Sequence, residues 1–108
     1  MTLVDLSIDG EGSIRMALEG DIAMSTAVDA ARLMREGIER LHPKSVCVDL
    51  AAVTFFDSAG ISALIAAWRA ADAAGAGFQV IRASTMIDRK LDLSGLVEHF
   101  GMRPPRIE

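Results

Sequence analysis

The stretch Ser45-Val46-Cys47-Val48-Asp49-Leu50 changes hydrophobic period within a dozen residues of its end, and that change restricts the fold more than any other feature. Val46, Val48 and Leu50 share one face of a strand, with Cys47 on the other. Beyond the junction Phe55-Phe56-Asp57-Ser58-Ala59-Gly60, residues Ile61, Leu64, Ile65, Trp68 and Ala71 follow helical spacing, and the surrounding alanines raise helix propensity. Gly75 and Gly77 then stop the helix. A strand running into a helix of this kind calls for an α/β layer, because each element must bury its apolar side against the other.

The same alternation extends over the chain. Leu3–Ile8 and Ser13–Leu18 read as strands joined by a turn at Asp9-Gly10-Glu11-Gly12, where the glycines supply positive φ. Residues 19–24 read as a connection. Ser25 or Thr26 caps a helix, Thr26 and Asp29 having capping-box spacing. Apolar positions 27, 30, 31, 34, 38 and 41 mark its inner face, and Pro43 limits its end. Phe78–Ile81 reads as a fourth strand. Ser84 or Thr85 opens a helix with Ile87 and Leu91 inward and Gly95 at its end, and Leu96–Phe100 reads as a last strand or coil. The expected architecture is a single α/β domain with a mixed sheet of 4–5 strands and 3–4 helices. Its core covers about residues 3–100 and a tail follows at 101–108.

Composition narrows the function. Fifteen acidic against eleven basic side chains give a net charge of −4 with no basic run, which argues against nucleic acid. One cysteine fits a reducing cytosol, and Cys47 reads as a small strand hydrophobe. The opening MTLVDLSIDG has no basic segment and does not read as a signal peptide, and no apolar run reaches membrane-spanning length. The Gly10/Gly12 pair lacks the lysine and helix of a phosphate loop.

The junction itself places Asp57 and Ser58 beyond the carboxyl end of a strand and at the start of a helix, where α/β proteins gather their sites. Either residue suits the N-cap. Ser58 also suits a regulated hydroxyl, since a phosphoryl group there adds about −1.5 to −2 charges beside a helix N-terminus. Catalysis by Ser58 is disfavoured. The histidines, His42 and His99, have no triad spacing, the motif is not G-x-S-x-G, and no cluster has metal-ligand spacing. No cofactor is expected.

The segment VCVDLAAVTFFDSAGISALIAAWRAADAAG resembles the STAS domain of bacterial anti-sigma factor antagonists, as do LEGDIAMSTA at 18–27 and IDRKLDLSGL at 87–96. The resemblance implies that Ser58 is phosphorylated by an anti-sigma factor with serine kinase activity. It further implies that the dephosphorylated form binds that partner and frees the sigma factor, and that a phosphatase reverses the modification. The partner surface implied comprises Asp21, Ala23, Ser25, Phe56, Asp57, Ser58, Ala59, Gly60 and Ile61. The family usually has Asp where this chain has Ala23, and Ser or Thr where it has Ala59. The alternative is a STAS accessory subunit of a lipid-transport ABC transporter, bound to its ATPase without phosphorylation.

Overall fold

The computed structural model describes residues 3–93. The order is β1 (Val4–Ile8), β2 (Ser13–Ile22), α1 (Met24–Leu41), β3 (Ser45–Phe56), α2 (Ser58–Ala73), β4 (Gly77–Ile81) and α3 (Thr85–Leu93). The four strands form one sheet in sequential order. β1 and β2 pair antiparallel across the Asp9–Gly12 turn, whereas β2–β3 and β3–β4 pair parallel because a helix intervenes each time. The mixed sheet and helix count agree with expectation. Leu96–Phe100, Gly95, His99 and the 101–108 tail lie outside the described residues.

One face of the sheet carries the core. Ile14, Met16 and Leu18 of β2, Val46, Val48 and Leu50 of β3 and Val80 of β4 are all buried, and α1 supplies Ala27, Ala30, Met34 and Ile38 against them. Ala63, Leu64, Ala67 and Ala71 of α2 pack into the same core; with alanine at three of these four positions, the helix lies close to the sheet. Gly75 ends α2 with φ +73, where its N–H bonds the Asp72 carbonyl at 3.0 Å and the Ala76 N–H bonds that of Ala71 at 2.8 Å. β1 is an edge strand whose inner face is only partly covered. Leu6 packs toward Gly37 of α1, but Ile8, at the hairpin end, is 61 % exposed rather than buried.

Two strands are longer than their alternation indicates. β2 continues through Glu19-Gly20-Asp21-Ile22, and β3 continues through Ala51–Phe56. The reason is irregular pairing. Ala17 faces Asp49 and Ile22 faces Phe56, so five steps on β2 match seven on β3, with register shifts at Ala17/Glu19 and Gly20/Asp21. Such bulges break the period of two, so Val53 and Phe56, three apart, are both buried.

Candidate functional site

Because β2, β3 and β4 run parallel, their carboxyl ends and the N-termini of α1, α2 and α3 gather at one edge. Asp57 is the N-cap of α2 in extended conformation, its Oδ1 accepting from the N–H groups of Ala59 at 2.9 Å and Gly60 at 3.1 Å. The open choice between Asp57 and Ser58 thus falls to Asp57. Ser58, first residue of the helix, is left exposed. Gly60 is fixed by space: a Cβ there would stand 2.8 Å from the Ile22 carbonyl oxygen and 2.9 Å from the Phe56 ring. The glycine lets the start of α2 sit directly on the end of β2.

The start of α1 is built differently from expectation. The N-cap is Ala23, not Ser25 or Thr26, and Thr26 occupies the third helical position. Its hydroxyl accepts from the Ala23 N–H at 3.0 Å and lies 2.7 Å from both the Asp21 and Ala23 carbonyls, serving one of them at a time. One arm of a capping box therefore does the work that a polar N-cap side chain would share. Met24, the first helical residue, has φ +50 and is 78 % exposed. A left-handed non-glycine costs about 1–3 kcal/mol, and such residues cluster at functional sites. Across the β2–β3 pair, the Thr54 hydroxyl donates to Asp21 Oδ1 at 2.6 Å, holding that carboxylate beside the same edge.

Of the residues expected to face a partner, Asp21, Ser25 and Ser58 are exposed, and Ala23, Asp57, Ala59 and Ile61 are half-buried. Phe56 and Gly60 are buried and lie beneath the surface, since the bulged end of β3 turns Phe56 inward and Phe55 outward. Phe55 is 44 % exposed, and Val28, one turn beyond Met24, is 68 % exposed. A groove of about 400 Å³ runs between α1 and α2, lined by Ala27, Val28, Ala31, Arg32, Ala59 and Ser62 among others. Ser58 thus directly precedes Ala59, a lining residue of this largely apolar groove, which has Arg32 and Arg35 on its α1 wall.

α3 meets the end of β3 through Lys90. Ser84 Oγ accepts from the Ile87 N–H at 3.3 Å, and Ile87 and Leu91 are fully buried. Lys90 donates from Nζ to the Phe56 carbonyl at 2.5 Å and stands 4.9 Å from the centroid of the Phe55 ring. Thr54, Met24 and Lys90 escaped the sequence reading, and Thr26, expected as a cap, serves instead from the third helical position. Thr54 and Lys90 act on partners far along the chain, which no local motif announces.

The sheet face opposite the core holds a separate cluster. Asp49 is 2 % exposed and takes hydrogen bonds from the guanidinium groups of Arg15 on β2 and Arg82 just after β4. Arg82 Nε adds a contact at 3.2 Å, and the Ala51 N–H donates to Asp49 at 2.9 Å. Cys47, nearby on the same face, is half-buried and free; burial pushes its thiol up from the ordinary value, Arg15 opposes this and Asp49 adds to it. His42 is the left-handed C-cap of α1. Among the described residues no group of His, Cys, Asp or Glu could hold a metal ion, and no helix is long and apolar enough to cross a membrane.

Sheet order, helix placement and the strand-to-helix junction at Asp57-Ser58 define a STAS domain. The family model STAS_2, described as "Mlab, STAS domain", matches residues 6–104, and the chain belongs to this family. Among solved structures, an anti-sigma factor antagonist from Mycobacterium paratuberculosis is similar at 24 % identity and TM-score 0.78, over 94 % of this chain and 85 % of that one. The anti-sigma factor antagonist SpoIIAA in its unphosphorylated form is similar at 15 % identity and TM-score 0.67, over 97 % and 89 %. The Bacillus cell fate determinant SpoIIAA in the phosphorylated form is similar at 14 % identity and TM-score 0.71, over 95 % and 91 %. At these identities the likeness is one of fold. No curated protein matches the sequence.

Proposed function

We propose that this STAS domain is an anti-sigma factor antagonist switched at Ser58. Its partner is an anti-sigma factor that is also a serine kinase, and a phosphatase reverses the modification. The observation that carries the reading is the setting of Ser58: an exposed hydroxyl on the first residue of α2, three residues after exposed Phe55 and directly before Ala59, which lines the α1–α2 groove. The side chain is open to a kinase and lies within the area a docked partner would cover. A phosphoryl group would meet the carboxylate of Asp57 and face desolvation in the contact. A loss of about 3–4 kcal/mol lowers affinity by a few hundredfold, enough for a switch. The similar structures, which include antagonists and a phosphorylated form, are consistent with this reading.

Two observations favour the alternative, an accessory subunit bound to a lipid-transport ABC ATPase without phosphorylation. Ala23 stands where the antagonist family usually carries Asp, and the matching family model bears the Mlab name. Incubation with candidate anti-sigma kinases and ATP, followed by intact mass measurement, separates the two. One added phosphate, absent from Ser58→Ala, supports the switch. An unchanged mass together with a stable complex with a transporter ATPase supports the accessory role and overturns the first reading.

A further inference from the structure

A cation from α3 reaches the end of the strand that leads to Ser58. Lys90 Nζ donates to the carbonyl of Phe56, two residues before Ser58, at 2.5 Å. Peptide dimensions then keep the ammonium within about 9 Å of the Ser58 Cα, whatever the intervening dihedrals. That is about one Debye length at physiological salt. The lysine is also held in place: its helix is anchored by fully buried Ile87 and Leu91, and its ammonium lies over the Phe55 ring at 4.9 Å. Neighbouring charges are mixed. Asp57 caps α2, Asp21 is held by Thr54 at the end of β2, Arg32 lines the groove with Ala59, and Arg89 is exposed on α3.

We propose that Lys90 is a positioning residue of the switch, tying α3 to the end of β3 and countering the charge of a phosphoryl group on Ser58. The inference rests on the reading of Ser58 as a phosphorylation site. With Ser58 unmodified, the ammonium fixes the Phe56 carbonyl and so the path of the chain into the Asp57 cap. With Ser58 phosphorylated, the same ammonium offsets the repulsion from Asp57, and its flexible stem allows it to approach the phosphate oxygens. The modified protein then stays folded while its docking face carries added negative charge.

The test installs phosphoserine at position 58 by genetic encoding, so that no kinase is needed. The second ionisation of the phosphate, ordinarily near pH 6, is followed by ³¹P NMR in the full chain carrying Lys90, Lys90→Met or Lys90→Arg. Lys90→Met keeps the apolar stem and removes the charge. The expected result is a phosphate pKa higher by roughly 0.3–0.6 unit in Lys90→Met, restored by Lys90→Arg and shrinking as salt is raised. Identical titrations in the three proteins overturn the proposal. Should Lys90→Met lose its fold by circular dichroism, the comparison of Lys90 with acetylated Lys90, also encoded genetically, decides in the same way. Failure of every kinase to modify Ser58 would instead overturn the functional reading and leave this titration unaffected.

Discussion

Single atoms set the geometry around Ser58. The Asp57 carboxylate satisfies two amide groups at the start of α2, so Asp57→Ala should cost about 1 kcal/mol in chemical denaturation, and Asp57→Asn much less. Glycine substitutions should separate two kinds of tight contact. A Cβ at Gly60 meets a backbone oxygen and an aromatic ring that is itself in the core, and Gly60→Ala should lose about 1–3 kcal/mol. A Cβ at Gly37 meets only the tips of Leu6 and Met16, which can turn aside, and alanine gains about 1 kcal/mol of helix propensity. Gly37→Ala should therefore stay within about 1 kcal/mol of the parent in the same experiment. At this scale the sequence was legible where a side chain acts on its near neighbours, as with Asp57 and Ser84. It was illegible at Ala23, whose cap is completed by another residue, and at Lys90, whose partner is a carbonyl 34 positions away.

Between elements, the Asp49 cluster ties three strands together on the face away from the core. Either arginine can hold the buried carboxylate alone, so Arg15→Ala and Arg82→Ala should each be mild. The double variant leaves Asp49 buried without a cation, and its loss should exceed the sum of the two by about 1–3 kcal/mol in urea denaturation. The alternation of Val46, Val48 and Leu50 revealed where β3 begins, and the spacing of α1 and α2 revealed their inner faces. The ends of β2 and β3 were hidden because two bulges interrupt the alternation there, and because Gly20-Asp21 resembles a turn by composition. Those hidden ends lead directly into the candidate site, so the motif was visible while its support was not.

For the whole molecule, charge at position 58 should be felt in association and hardly in folding. Ser58→Asp puts a negative side chain on the first residue of a helix, where the macrodipole favours it by about 0.3–1 kcal/mol. Its midpoint in thermal melting should match or slightly exceed the parent's. Its affinity for the cognate partner, read by calorimetry, should fall at least a hundredfold, whereas Ser58→Ala should bind like the unmodified protein. Cys47 offers a check on the packing of the opposite face. Since burial raises its thiol pKa, less thiolate exists at pH 7 than for free cysteine. Its reaction with a disulfide reagent should be slower than that of cysteine at pH 7 and should keep accelerating at pH values where free cysteine has levelled off.

The two surplus residues in β3 also set a rule for how this chain can change over time. Exposed Ala51 and Ala52 can accept new letters, but losing one residue from this stretch would turn Phe56 toward water and pull the acidic cap out of reach of the amides it serves. Insertions and deletions there should be selected against even where substitutions pass freely.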